Sequence, residues 1–435
     1  MSLTNPPRRI GWRAKASHVD CERQASPAPA RPGPEPSPAP EASRRVPAID
    51  VLRGIAILGT LAANIWIFTP GMTRLVPGPW PAALLQSLLD GKFLGLLTIM
   101  FGIGLEIQRQ AARRAGRSWP GAYPVRAGLL FLDGVVIYVF VFQFDVIRAY
   151  AFTGLIVAFL LLTSERVQLW IAALFVALHV ALMMVMSAER PESSGGAAPD
   201  EGTRRLDPGS YGYWPNVQDT LDNFWAGFSP SSEFATIVVM GVAMFLLGAR
   251  IYRAGVFEPS GRVQRRWLMV VGLLVALPLE VLLKLDVLGL PHEPVRGFTR
   301  YGTAAVVAFG ILALVAEVYQ HRAVGWWGRR LADVGAMALS CYMLQNILGV
   351  AFSHTAAALV DPSAPGAQYA TLALFLALAG LLVVFSGLWL RRFDRGPVEL
   401  FWNWGYRTIT RTRDEAVRHA APASLDPQTG KEKRS

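Results

Sequence analysis

The run Ile49-Asp50-Val51-Leu52-Arg53-Gly54-Ile55-Ala56-Ile57-Leu58-Gly59-Thr60-Leu61-Ala62-Ala63-Asn64, continuing to Phe68, decides the fold. It is about 20 residues long and almost wholly apolar, enough to cross a bilayer as a helix. Yet it carries an acid, a base and an amide. At roughly 100° per residue, Asp50, Arg53, Ile57, Thr60 and Asn64 share one helix face, with Arg53 and Asn64 about 16 Å apart. An ionised side chain at membrane depth costs several kcal/mol unless it is paired or meets water, so this stripe is expected to turn into a helix bundle. Two readings stand side by side. Asp50 and Arg53 either form only an interfacial ion pair at the helix start, or the stripe lines a cavity.

The whole chain has the composition that this run suggests. Of 435 residues 52% are hydrophobic and only 17% charged, too apolar for an average soluble protein. The formal net charge of +11 does not point to nucleic acid, because the basic residues lie between apolar spans and in the tails. Cys21 and Cys341 offer neither a disulfide nor a metal site. The expected class is therefore all-α, a polytopic integral membrane protein.

About ten spans are expected: Ile49–Phe68, Leu88–Gln108, Ala127–Phe142, Val146–Leu162, Gln168–Met186, Phe234–Tyr252, Trp267–Leu285, Tyr301–Tyr319, Leu331–Ser353 and Tyr369–Leu390. Lys and Arg gather on the cytoplasmic side of short loops. With the N-terminus inside, that side takes Arg109, Arg113, Arg114, Arg117, Arg126, Arg166, Arg250, Arg253, Arg262, Arg265, Arg266, Arg322, Arg329 and Arg330. Lys92, Arg148, Lys284 and Arg300 fall on the outer side. Both termini are then expected on the cytoplasmic side, with the bilayer as the protein's standing partner.

Residues 1–47 are expected to be a disordered Pro/Ala/Arg-rich arm, 48–410 the membrane domain and 411–435 a basic tail. One connection, 187–232, is long and outer, and holds Tyr211, Tyr213, Trp214 and Trp225. These aromatics suit either an interfacial belt or a lid over a sugar-like or lipid-linked substrate.

Further polar residues stand where burial makes them expensive. In Phe144-Asp145-Val146-Ile147-Arg148-Ala149-Tyr150 the acid and base at i, i+3 can pair on one helix face. They fix either a turn or one wall of an outward pocket, with Tyr150 beside them. Glu280 and Lys284 are a favoured i, i+4 pair, and Asp133 lies in the third span. Tyr342, Gln345 and Asn346 share a face of the ninth. Of six histidines, His179, His292 and His354 could serve in the membrane, and His354 is the catalytic candidate because it lies a few turns from Gln345 and Asn346.

The opening phrase with Asn64, the Asp145…Tyr150…Gly154 joint, the Gly328-Arg329…Tyr342…Gln345 pattern and the closing Arg391-Arg392-Phe393-Asp394-Arg395-Gly396-Pro397 together resemble the YeiB family, bacterial membrane proteins with a domain of unknown function. That family is distantly similar to membrane acyltransferases acting on surface sugars, which carry a first-helix Arg and, after ten residues, a catalytic His. Here Arg53 is present and Asn64 occupies the matching position, so the general base is missing.

No zinc-ligand spacing, P-loop or nucleophile elbow occurs, and Phe101-Gly102-Ile103-Gly104 is a packing motif inside a span. Two functions follow. One is acyl transfer from a cytoplasmic thioester donor, acetyl-CoA or another acyl-CoA, to a small-molecule or lipid-linked acceptor outside. The other is transport of a small anionic or amphiphilic solute, although no Gly/Pro-broken helix pair in matching halves supports it. The substrate-binding candidates are Asp50, Arg53, Asn64, Asp145, Arg148, Tyr150, Tyr342, Gln345 and Asn346.

Overall fold

A computed structural model describes residues 47–69, 84–85, 88–141, 143, 145–188, 212–230, 232–285, 289, 295, 297–355 and 367–420. Among these residues there are helices and turns and no strand. In chain order they form α1 (Pro47–Asn64), α2 (Lys92–Arg114), α3 (Tyr123–Phe140), α4 (Ile147–Leu160), α5 (Glu165–Ala188), α6 (Tyr213–Asp222) and α7 (Glu233–Arg253). Then come α8 (Arg262–Met269), α9 (Leu277–Lys284), α10 (Ala304–His321), α11 (Trp326–Ala336), α12 (Ala338–Thr355), α13 (Ala367–Trp389) and α14 (Pro397–Ala420).

Seven helical runs are long and apolar enough to cross a membrane, and an eighth is reached if the bent pair α11–α12 counts as one span. The chain is a polytopic helical membrane protein. Each of the ten expected segments contains a helix. Two of them fall short as free-standing spans: α4 has only 14 residues, and α2 holds Lys92, Glu106 and Arg109. Neither faces lipid alone, because α2 is enclosed by α1, α7 and α10 while α4 lies against α3 and α7. The hydrocarbon side chains of α5, α8–α9 and α13, such as Trp170, Leu174, Leu274 and Leu376, are outward and exposed, as a bilayer-facing surface requires.

Between apolar helices in lipid there is little hydrophobic drive, so close backbone approach at small residues has to supply packing. A Cβ on Gly102 of α2 would collide with the backbone of Phe245 in α7, and one on Gly54 of α1 with the Leu331 carbonyl of α11. Gly272 and Gly310 bring the chain between α8 and α9 against α10 in the same way.

The ninth expected span, Leu331–Ser353, is not one helix. It breaks at Met337, where α11 and α12 meet at 83°. Gly335 there lies against the Asp50 carbonyl, and the first amides of α12 are satisfied from outside the helix by Glu399. The seventh span is also irregular. Residues Val270–Ala276 wind as a π-helix just before Pro278, which has no N–H to donate to the preceding turn.

Two ionic groups sit at opposite ends of α2. At one end Glu106 takes a bidentate bond from Arg109 (2.9 Å to each oxygen) and another from Arg253 (3.0 Å), which also reaches Glu165. At the other Lys92 contacts Glu280 at 2.7 Å, Lys284 joins Glu280 and Asp90, and Arg300 joins Asp90 and Glu233. Arg109, Arg250 and Arg253 are thus bridged through Glu106 and Glu165, and Lys92, Lys284 and Arg300 through Glu280 and Asp90.

Candidate functional site

Asp145 and Arg148 lie where α3 hands over to α4. Both are buried, Arg148 with only 2% of its surface exposed. Asp145 caps the helix: its Oδ1 accepts the Ile147 N–H at 3.1 Å and its Oδ2 the Arg148 N–H at 2.9 Å. That leaves the Arg148 side chain at ion-pair distance only, 3.7 Å from Nε to Oδ2. Its guanidinium instead lies over aromatic faces, 3.5 Å from the Tyr138 ring centre, 5.0 Å from Phe228 and 5.9 Å from Phe234. Gly134 makes room for this, since a Cβ there would press on the Arg148 backbone and the Asp145 carboxylate. In this turn, outside the spanning segments, burial pushes the Asp145 carboxyl up to about 7 against the two amide donors and the Arg148 charge.

The segment 212–230 folds over this arginine. α6 and the turn Phe224–Phe228 rest on the end of α3 through Tyr213 Oη donating to the Phe140 carbonyl (2.8 Å), Tyr138 Oη donating to the Phe224 carbonyl (3.4 Å) and Gln143 donating to Thr220 (2.6 Å). Trp214 and Trp225 stay exposed. Tyr213 meets the ring of His354 edge-on, and the two line a shallow cleft with Gln143 and Thr220.

On α1 the polar face turns toward the bundle. Ile57 and Thr60 are buried, and the Thr60 hydroxyl has no hydrogen-bond partner among the described residues. Arg53 is 3.6 Å from Asp50, keeps 33% of its side chain exposed and reaches toward Gly104 of α2; Asn64 is half-buried. Arg330 and Asp333 of α11, 3.1 Å apart, add a second pair on the helix that packs along α1.

On α12 Tyr342, Gln345 and Asn346 are all buried, as their shared face predicts. Tyr342 lies against the Val146 backbone and within electrostatic reach of Asp145, Tyr150 and Glu233. Tyr150 shares a 2.7 Å hydrogen bond with Thr98. Asp145, Arg148, Tyr150 and Tyr342 thus form one constellation. Asp50 and Arg53 form another, next to the start of α1.

The family model described as "Protein of unknown function (DUF418)" matches residues 251–408. Over 399 residues the chain is 23% identical to the uncharacterized protein YxaH of Bacillus subtilis (strain 168), spanning 83% of this chain and 94% of that one. Over 391 residues it is 26% identical to the uncharacterized protein YeiB of Escherichia coli (strain K12), spanning 81% and 94%. The chain is thus similar to DUF418 proteins of the YeiB type. The DUF418 stretch runs from the end of α7 into α14 and so includes Tyr342, Gln345, Asn346 and His354, while the α1 and α4 groups precede it.

Sequence reasoning missed several partners. Glu399 was read only as part of a closing segment, but it holds the start of α12 and lies near Asp133, as does Trp402. Lys92 completes the Glu280–Lys284 pair from 188 positions away, a separation that no local pattern encodes. No group of three His, Cys, Asp or Glu fit for a metal occurs among the described residues. Tyr211, His292 and Cys21 lie outside the described residues.

Proposed function

We propose that this chain handles acyl groups across the bacterial inner membrane, with both termini cytoplasmic. Arg53 holds the phosphate or thioester end of acetyl-CoA or another acyl-CoA at the inner side, and the acyl group passes near Asn64 to a small-molecule or lipid-linked acceptor at the outer face. The observation that supports this reading is the setting of α1. Arg53 and Asn64 keep partial exposure toward opposite ends of one helix, while between them the buried Thr60 hydroxyl has no hydrogen-bond partner among the described residues.

In the reaction an acceptor hydroxyl oxygen attacks the thioester carbonyl, the C–O bond forms and the C–S bond breaks. The hydroxyl proton goes to a base and then to the departing thiolate. An amide N–H from Asn64 can stabilise the oxyanion but cannot take that proton, so the base must lie elsewhere, with His354 at the outer cleft as the candidate. The test is saturable acetyl-CoA binding and CoA release by the purified protein, wild type against Arg53→Ala and Arg53→Lys. Loss in the Ala variant is expected; unchanged binding in it counts against the reading.

Transport of a small anionic or amphiphilic solute is the second reading, and the 83° break between α11 and α12 favours it, since solute sites in transporters are built at discontinuous spans; Glu399 would have to release the first amides of α12 for a solute to use them. Substrate-dependent flux into proteoliposomes without CoA release would select it.

A further inference from the structure

Three buried arginines of this chain can be compared directly. Arg109 makes two bonds to Glu106 and a third to the Leu161 carbonyl, and Arg265 bonds Glu317 and the carbonyls of Val256 and Glu258. Arg148 is as deeply buried as Arg265, yet its Nε and Nη1 have no hydrogen-bond partner among the described residues. Its close carboxylate among the described residues, Asp145, already accepts two backbone N–H groups. A buried guanidinium with unused donors loses hydration without replacement, a cost of several kcal/mol that structural arginines avoid. Its planar fork matches the two oxygens of a carboxylate or phosphate.

The surroundings of that fork are hydrocarbon. Tyr138, Phe228 and Phe234 flank the guanidinium, Phe131 and Phe224 touch Phe228, and the series ends at the exposed Trp225, 5.9 Å from Phe228. A bare inorganic anion has no use for this series of rings. An apolar tail does.

We propose that Arg148 is the head-group end of a site for an amphiphilic anion, a carboxylate or phosphate monoester on an apolar tail, and that the turn Phe224–Phe228 is the cover displaced when the anion binds. None of these residues belongs to α1, so the site stands whether or not acyl groups pass along that helix.

The experiment measures binding of radiolabelled decanoate and decyl phosphate to the full chain in an uncharged detergent, with acetate and inorganic phosphate as tail-less controls. Wild type should bind both tailed anions saturably and neither control at the same concentration, with at least a tenfold loss in Arg148→Gln and a smaller one in Arg148→Lys. A second arm places Gln143→Cys and Thr220→Cys in a Cys21→Ser, Cys341→Ala background, so that a disulfide clamps the cover. The clamped protein should not bind, and reduction of the same sample should restore binding, which excludes misfolding as the cause. Unchanged affinity in folded Arg148→Gln or in the clamped protein overturns the proposal, as does the lack of saturable binding by wild type. Equal binding of the controls overturns the role of the tail.

Discussion

The Arg148 guanidinium carbon lies 3.5 Å from the centre of the Tyr138 ring, so a helix of the bundle supplies this cation with a π face where a second carboxylate would be expected. A desolvated contact of this kind contributes up to about 2 kcal/mol. Tyr138→Phe keeps the face and loses one long hydrogen bond to the Phe224 carbonyl, so its thermal midpoint in detergent should fall little. Tyr138→Leu should fall clearly further. Equal midpoints for the two variants would mean that the ring face does not hold the charge.

Lys92 and Glu280 are both buried and 2.7 Å apart. Removing one partner of such a pair costs about 3–5 kcal/mol, because the other charge stays buried. Lys92→Met should therefore lower the folded yield sharply, and Lys92→Met with Glu280→Leu should recover much of it. Lys284, 3.2 Å from Glu280, limits the recovery, since the double variant leaves it with the more distant Asp90 at 3.4 Å. A double variant no better than the single one would show that Glu280 does not depend on Lys92.

Which parts of this were readable follows from sequence separation. Apolar runs are local, so each expected span contains a helix. The Asp145–Arg148 and Glu280–Lys284 pairs are also local, three and four residues apart. The break at Met337 was not readable, because no proline marks it within Leu331–Ser353 and its cap comes from Glu399, 60 residues after Leu339. Nor was the cover on Arg148, since Phe228 looks like any aromatic beside a span until the fold brings it to the guanidinium. The π-helical stretch before Pro278 left no mark beyond the proline itself.

Gly335 has no room for a methyl group: its Cβ would collide with the Asp50 carbonyl oxygen. Overpacking of this kind costs about 1–3 kcal/mol or forces helices apart. Gly335→Ala should lower the thermal midpoint, while Gly128→Ala, whose Cβ meets nothing within 4 Å, should leave it unchanged or raise it. If the two variants behave alike, the α1–α11 crossing is looser than its backbone contacts imply.

The Asp145 carboxyl, facing Arg148, Asp133, Tyr342 and Tyr150, is pushed up to about 7 by burial. Its ordinary value in an unfolded chain is about 3.9. A folded-state value above the unfolded one means that the native protein holds the proton more tightly. The stabilisation is then full below about pH 4 and is lost as pH rises through about 7. Between pH 5 and pH 8 wild type should lose midpoint relative to Asp145→Asn, which cannot titrate. A constant difference between the two across that range would contradict the raised value.

Glu399 reaches from the start of α14 to the first turn of α12. Its Oε1 accepts the Leu339 N–H at 2.9 Å and the Ser340 N–H at 3.3 Å, and its Oε2 accepts the Ser340 hydroxyl. Ser340 Oγ in turn accepts the Val398 N–H at 3.1 Å, so the two segments hold each other. Because α12 begins after an 83° break, no preceding turn satisfies these amides, and a carboxylate at a helix N-terminus also meets the positive end of the helix dipole. Loss of such a cap costs about 1 kcal/mol. Glu399→Ala should speed amide hydrogen exchange at residues 338–342 while leaving α2 protected, and Glu399→Gln, which keeps the acceptor oxygen and loses the charge, should fall between. Ser340→Ala combined with Glu399→Ala should cost less than the sum of the two, since each removes the same bond. Exchange at α12 that ignores all three variants would mean that the break is held by the packing of Gly335 on Asp50 alone.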